Sequence, residues 1–173
     1  MRIVFKENRT GVTVIFSAEV VEHFCHHRQI ERNYEVGGQL FAHFLPAGEV
    51  QIDKVTGPRK TDIKLRNFFK PNKRVEQQEI DSFFGDGVHY VGDWHTHPEA
   101  YPTPSSEDLH NIGNIFRKSR HSLSHFLLVI VGQAEAPEGL YVGLHDGIAI
   151  KSCQPIPSII FPQSAFLSKP PAY

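Results

Sequence analysis

A chain of 173 residues falls in the usual range of one folded domain and is long enough to bury a substantial core without disulfide or metal staples. Eighteen Lys and Arg against nineteen Asp and Glu leave a formal net charge of −1, so no overall field favours nucleic acid or an anionic membrane surface, and neither is expected as a partner. Cys25 and Cys153 are far apart and form no C-x-x-C pair, which argues against a cysteine metal site and predicts ordinary thiols in a reducing compartment.

The N-terminus, Met1-Arg2-Ile3-Val4-Phe5-Lys6-Glu7, becomes charged too soon for a signal peptide, and the longest aliphatic run, Phe126 to Val131, is too short to span a bilayer. A cytoplasmic chain without membrane attachment is therefore expected. Strand patterns at Arg2–Lys6 and Val12–Phe16 flank Thr10-Gly11, a dipeptide with the composition of a tight hairpin turn. Ser17 opens a helical pattern carrying Val20, Val21, Phe24 and Ile30, and strands follow at Gly38–Phe44, Val50–Val55 and Leu65–Phe69.

Asn72 opens a second helix with Val75, Glu79, Ile80 and Phe83, ended by Gly85. His89–His97 reads as a strand, and Ser105 begins a third helix with Leu109, Ile112 and Phe116 on one face. Strands at His125–Gly132, Leu140–Leu144 and Ile148–Cys153 complete the pattern, the last two joined by the turn dipeptide Asp146-Gly147. Strands interleaved with helices but linked by hairpins predict an α/β domain, a mixed β-sheet flanked by helices.

Beyond residue 153 the prolines 155, 157, 162, 170 and 171 forbid a regular helix or central strand, while Ile159, Ile160, Phe161, Phe166 and Leu167 stay apolar. One domain over residues 1–153 and a proline-rich tail over 154–173, docked on its surface and with its last residues disordered, is expected. Eight basic residues between Lys54 and Arg74 face only Asp62 as a counter-charge within that stretch. They read either as a docking surface for an acidic partner or as a solvated hairpin and helix start.

The segment His95-Thr96-His97-Pro98, followed by Pro104-Ser105 and Asp108, concentrates the candidate chemistry. Eleven histidines make one H-x-H nearly expected by chance, but the whole spaced set would occur in roughly one such chain in 10⁵. In a strand, residues two apart point to one face with Cα atoms roughly 6.6 Å apart, so the imidazoles of His95 and His97 can converge on one ion. Pro98 ends the strand and biases His97 toward an extended backbone. Ser105 occupies a natural N-cap position, which puts Asp108 in the first helical turn, able to reach back toward the strand end. Taken alone, Ser105 and Asp108 are also what a capping box would use, and two strand histidines also suit a hydrogen-bonded pair. Together, two imidazoles and a carboxylate match a catalytic zinc site with its fourth position left to water.

These residues resemble the signature of the JAMM metallopeptidases, also called the MPN-plus or JAB family. The family carries an upstream glutamate, and Glu35 in Tyr34-Glu35-Val36-Gly37-Gly38-Gln39 matches it. Glu22 and Glu31 are rivals by proximity, but neither precedes a Gly-Gly pair. The segment from Thr56-Gly57-Pro58 to Phe69-Lys70-Pro71 is similar to the variable hairpin of small bacterial members. The recognisable motif covers Glu35 to Asp108; residues 125–153 agree only in strand order.

The resemblance implies a fold similar to cytidine deaminases, although deaminase chemistry lacks its P-C-x-x-C thiolates here. It implies one Zn²⁺ per chain with a bound water, His95, His97 and Asp108 as ligands, Glu35 as proton shuttle and Ser105 as donor to the developing oxyanion. The implied activity is cleavage of an isopeptide or peptide bond after the C-terminal tail of a ubiquitin-like or conjugated protein.

The compact form is most similar to the deconjugating peptidases of CBASS antiphage operons, whose substrate is a nucleotidyltransferase conjugated through its C-terminus. Peptidases of bacterial ubiquitination-like operons, and those maturing a sulfur-carrier protein, would use the same ligands. A non-catalytic MPN scaffold would bind partners without chemistry, but such relatives usually lack the ligands present here. A RadC-like, DNA-linked role is disfavoured by the balanced charge. The sequence implies no oligomeric state.

Overall fold

The computed structural model describes residues 2–30, 34–66 and 68–157. Nine strands form one sheet: β1 (Ile3–Lys6), β2 (Thr13–Phe16), β3 (Gly37–Leu45), β4 (Glu49–Val55), β7 (His89–Thr96), β8 (Phe126–Val131), β9 (Leu140–His145), β10 (Ile150–Ser152) and β11 (Gln154–Ile156). Their spatial order is β10-β9-β8-β7-β3-β4-β2-β1-β11. The pairs β2/β4 and β7/β8 are parallel and the others antiparallel, so the mixed sheet expected from the hairpin signals is present. A separate antiparallel pair is formed by β5 (Ile63–Leu65) and β6 (Phe68–Lys70).

The sheet curls until its edges almost meet. Strands β10 and β11 are separated in sequence by Cys153 alone, yet β10 pairs with β9 at one edge and β11 with β1 at the other. Cys153 is 4% exposed and donates its amide to the Val142 carbonyl at 2.8 Å. Pro155 lies in β11, an edge strand, where the amide that proline lacks has no central ladder to interrupt. The first residues of the proline-rich segment therefore join the sheet, and the apolar tail residues from Ile159 onward lie outside the described ones.

Helix α1 (Ala18–His26), capped by the Ser17 side chain at the Val20 amide, buries Val20, Val21 and Phe24 against the inner face of the curl. There Phe16, Phe24 and Trp94 stack at centroid distances of 5.9 and 5.3 Å, edge-on or tilted, the arrangements that aromatic quadrupoles favour. Helix α2 (Lys73–Gly85) starts at the Asn72 cap and packs Phe83 on Phe41 at 4.7 Å. Helix α3 (Ser106–Lys118) lays Ile112 over Phe126, Leu128 and Ile130 on the outer face. No described helix is long and apolar enough to cross a membrane.

Three expected elements differ. Leu65–Phe69 is not one strand but the facing ends of β5 and β6, which satisfy each other's backbone groups. The Ile148–Cys153 strand begins only at Ile150, because the Asp146 carboxylate accepts the Ile148 and Ala149 amides at 3.0 and 2.9 Å and holds a turn that leaves Ile148 93% exposed. The first helix ends at His26, so Ile30 is not on its apolar face and lies exposed.

Three residues of the basic stretch are engaged within the fold. Arg59 is largely buried, bonded to Glu79 and beside Glu76 and Asp62. Lys73 pairs with Glu76 at 2.9 Å, and the Lys54 ammonium lies over the Phe83 ring. Helix α2 supplies counter-charges to Arg59 and Lys73.

Candidate metal centre

Alternation along β7 sends Trp94 and Thr96 into the inner core, at 1% and 0% exposure, and turns His95 toward the outer face. His97 continues the extended path, its amide donating to the Val131 carbonyl at 2.9 Å. The glycines opposite are required by space. A Cβ on Gly38 would collide with the Thr56 carbonyl just past β4, and one on Gly37 with the Trp94 carbonyl on β7, so the segment bearing Glu35 can fit between the two only with both side chains absent.

Across the gap, α3 opens with a complete capping box. Ser105 Oγ accepts the Asp108 amide at 3.1 Å, and Asp108 Oδ2 accepts both the Ser105 amide and the Ser105 hydroxyl at 2.7 Å. The cap holds the Asp108 carboxylate toward the histidines. His95 Nε2 lies 3.1 Å from Asp108 Oδ1, His97 Nε2 lies 3.4 Å from Oδ2, and the two nitrogens are 3.1 Å apart. Ligands placed tetrahedrally at 2.0–2.1 Å from a zinc ion are separated from one another by about 3.3 Å, so these three donors fit that ion with little movement. His97 Nδ1 in turn lies 3.5 Å from a Glu99 carboxylate oxygen, an outer partner of the kind that fixes ligand tautomer and orientation.

Burial alone would raise the Asp108 carboxyl, but contacts from His95, His97 and Ser105 hold it far below the ordinary carboxylate range. His97 moves the other way: burial opposes its protonation, and the Asp108 carboxylate outweighs that and raises it. Burial also raises the Glu35 carboxyl, against the pull of His95 and His97, with Asp108 and Glu107 adding to the rise.

Glu35, His95, His97, Ser105 and Asp108 all line one cavity of about 850 Å³. The structure thus brings together every residue singled out from the sequence. Of the rivals, Glu22 is exposed on α1 and Glu31 lies outside the described residues. The cavity continues between α3, at Asn111 and Ile115, and the β6 segment Phe68–Pro71. Asp93 lies on this cavity wall, its carboxyl raised by burial and by Glu76 while accepting the Tyr90 hydroxyl at 2.9 Å. Asp93 and Glu99 were not singled out from sequence, although the same period of two that pairs His95 with His97 places Asp93 on their face.

This fold and donor set define a JAB-type metal-site domain. The chain belongs to the prokaryotic homologs of the JAB domain, whose family model matches residues 17–141. It is 30% identical over 139 residues to a Vibrio cholerae protein named CD-NTase/cGAS isopeptidase, a match covering 78% of this chain and 85% of that one. It is 34% identical over 87 residues to the probable metalloprotease y4qB of Sinorhizobium fredii, spanning 48% of this chain and about half (53%) of that protein. The solution structure of protein DSY2949 from Desulfitobacterium hafniense has the same fold, with a TM-score of 0.54 at 17% identity over 79% of this chain and 87% of that one.

Proposed function

We propose that this chain is a zinc-dependent isopeptidase that releases a CD-NTase joined through its C-terminal tail to another protein. The observation that carries the reading is the convergence of His95 Nε2, His97 Nε2 and the Asp108 carboxylate within 3.1–3.4 Å, in a cavity that Glu35 shares. Membership of the JAB family and the names of the relatives support the same chemistry.

His95, His97 and Asp108 would hold the ion. Zinc, when bound, lowers the pKa of a water from about 15.7 to about 7 and polarises the scissile carbonyl. Glu35 accepts a proton from the attacking water and returns it to the departing lysine amine. A carboxyl raised by burial takes that proton more readily than an ordinary one, and general acid–base catalysis of this kind contributes about 10²–10⁴-fold. Ser105 can turn its hydroxyl to the developing oxyanion while its amide keeps the bond to Asp108, a role worth roughly 10²–10³ in rate.

An extended tail suits the far side of the cavity. The Glu35 amide occupies the Leu65 carbonyl on β5, whereas the outer edge of β6 pairs with no described strand and its residues Phe68–Lys70 line the cavity. That edge can take a peptide strand by main-chain hydrogen bonds and lead its last carbonyl toward the histidines.

The test is cleavage by the zinc-loaded chain of a CD-NTase whose C-terminal carboxyl is joined to a lysine side chain of a carrier peptide. Conjugates of a ubiquitin-like protein and of a sulfur-carrier protein are run beside it. The reading expects release of intact CD-NTase, abolished by a chelator and restored by zinc. Release from only the other conjugates would reassign the substrate, and no release from any would overturn the peptidase reading.

A further inference from the structure

Two buried polar side chains beneath the metal centre belong to neither the ligand set nor the proton shuttle. Thr96 is 0% exposed and Gln29 2% exposed. Buried polar groups at this depth are costly unless their hydrogen bonds are made, so what they bond to is informative.

Thr96 grips the residue next to Glu35 from both sides. Its amide donates to the Val36 carbonyl at 2.8 Å, and its hydroxyl accepts the Val36 amide at 3.1 Å. The same hydroxyl donates toward Gln29 Oε1 at 3.5 Å, using its donor and acceptor capacity together. Gln29 Nε2 then donates to the Arg66 carbonyl at 2.7 Å, one residue beyond Leu65, whose own carbonyl accepts the Glu35 amide at 3.0 Å. The bonds close a ring: Thr96 to Val36, Glu35 to Leu65, Arg66 to Gln29, and Gln29 back to Thr96. Gln29 is itself anchored, since its carbonyl accepts the Gln133 side-chain amide at 2.8 Å.

We infer that Thr96, braced by Gln29, is a positioning residue that registers Glu35 against the two histidines flanking Thr96. Strand alternation gives the device its economy: His95 and His97 face the cavity, while the residue between them faces inward and holds the segment carrying the proton acceptor. The Thr96 amide alone would tether Val36; the hydroxyl fixes its rotation. An error of about 1 Å in such a placement costs about 10²-fold in rate. The inference rests on the isopeptidase reading and adds to it two residues that touch neither substrate nor metal.

The experiment compares Thr96→Val, which keeps the shape and removes the hydroxyl, with Thr96→Ser, which restores it. Amide hydrogen exchange is followed in the zinc-free chain, zinc affinity by competition with a chromogenic chelator, and kcat and KM on the CD-NTase–lysine conjugate. Thr96→Val should speed exchange of the Val36 amide by about tenfold or more through local opening, leaving the amides within β7 unchanged. It should lower kcat by roughly ten- to a hundredfold while zinc affinity and KM stay within about twofold. Thr96→Ser should recover most of the loss.

Turnover of Thr96→Val within about twofold of wild type, a loss that Thr96→Ser shares, or a loss that tracks weakened zinc binding would each overturn the inference. If Thr96→Val does not fold, Gln29→Met carries the same expectation of lower kcat with zinc affinity retained, and full activity there overturns it. A wild-type chain that binds zinc and cleaves no conjugate instead overturns the isopeptidase reading, which normal turnover by Thr96→Val leaves standing.

Discussion

Ser105 and Asp108 hold each other: the serine gives both its amide and its hydroxyl to one Asp108 oxygen at 2.7 Å, and takes the Asp108 amide on its own oxygen at 3.1 Å. Capping and metal binding, alternatives when only the residue types are considered, use the same carboxylate at once. Its Oδ1 faces His95 while Oδ2 serves both the cap and His97.

The two roles separate on substitution. Asp108→Asn keeps an oxygen for the cap but loses the anionic ligand, so zinc measured by elemental analysis should fall to background. Ser105→Ala should keep its zinc, lose about 1 kcal/mol of stability in urea unfolding, and lose roughly 10²–10³ in turnover. Full zinc occupancy in Asp108→Asn would contradict the ligand role.

Glu35 makes the opposite separation. Glu35→Gln should retain the zinc stoichiometry of the wild type and lose about 10²–10⁴-fold in kcat, because it touches the proton path and not the ligand set. Turnover near that of the wild type would end the assignment.

Gly38 is a steric requirement with a functional consequence. In Gly38→Ala the new methyl meets the Thr56 carbonyl, a backbone group that cannot swing away. Urea unfolding should show a loss of about 3 kcal/mol or more, at the upper end for overpacking, with Glu35 displaced and activity lost. An alanine variant as stable as the wild type would contradict the close approach of β3 to Thr56.

His23 gives the fold a pH dependence in acid. It packs edge-on against Trp94 at 5.2 Å and lies 4.4 Å from the His27 ring; burial, then the neighbouring His27, lower its pKa from 6.5 to about 4. The folded chain therefore keeps this ring neutral at a pH where the unfolded chain protonates it. Its contribution is complete above pH 6.5 and is lost as the pH falls from 6.5 toward 4. His23→Phe keeps an aromatic ring against Trp94 and should flatten the fall in melting temperature over that interval. An unchanged slope would assign the acid sensitivity elsewhere.

The candidate ligand set was legible from sequence because its parts obey short-range rules, and the family resemblance added Glu35. Period two aligned His95 with His97, a helix cap placed Asp108, and the Gly-Gly pair marked where Glu35 meets a neighbouring backbone. What escaped depends on long-range placement. Arg59 meets Glu79 twenty residues away, and Thr96 meets Gln29 sixty-seven residues away, separations that no periodicity encodes. The curl of the sheet turns on the step at Cys153 from one edge to the other, where Pro155 and Pro157 read as the start of a tail leaving the sheet. The division of Leu65–Phe69 was hidden because only the short polar pair Arg66-Asn67 separates apolar Leu65 from Phe68 and Phe69.

X-ray absorption at the zinc edge on the purified chain reads the ligand set itself. One zinc per chain is expected, with two histidine nitrogens and a carboxylate oxygen at about 2.0–2.2 Å, and a spectrum that disappears in His95→Ala. Sulfur neighbours at about 2.3 Å, or zinc bound equally well by His95→Ala, would contradict it.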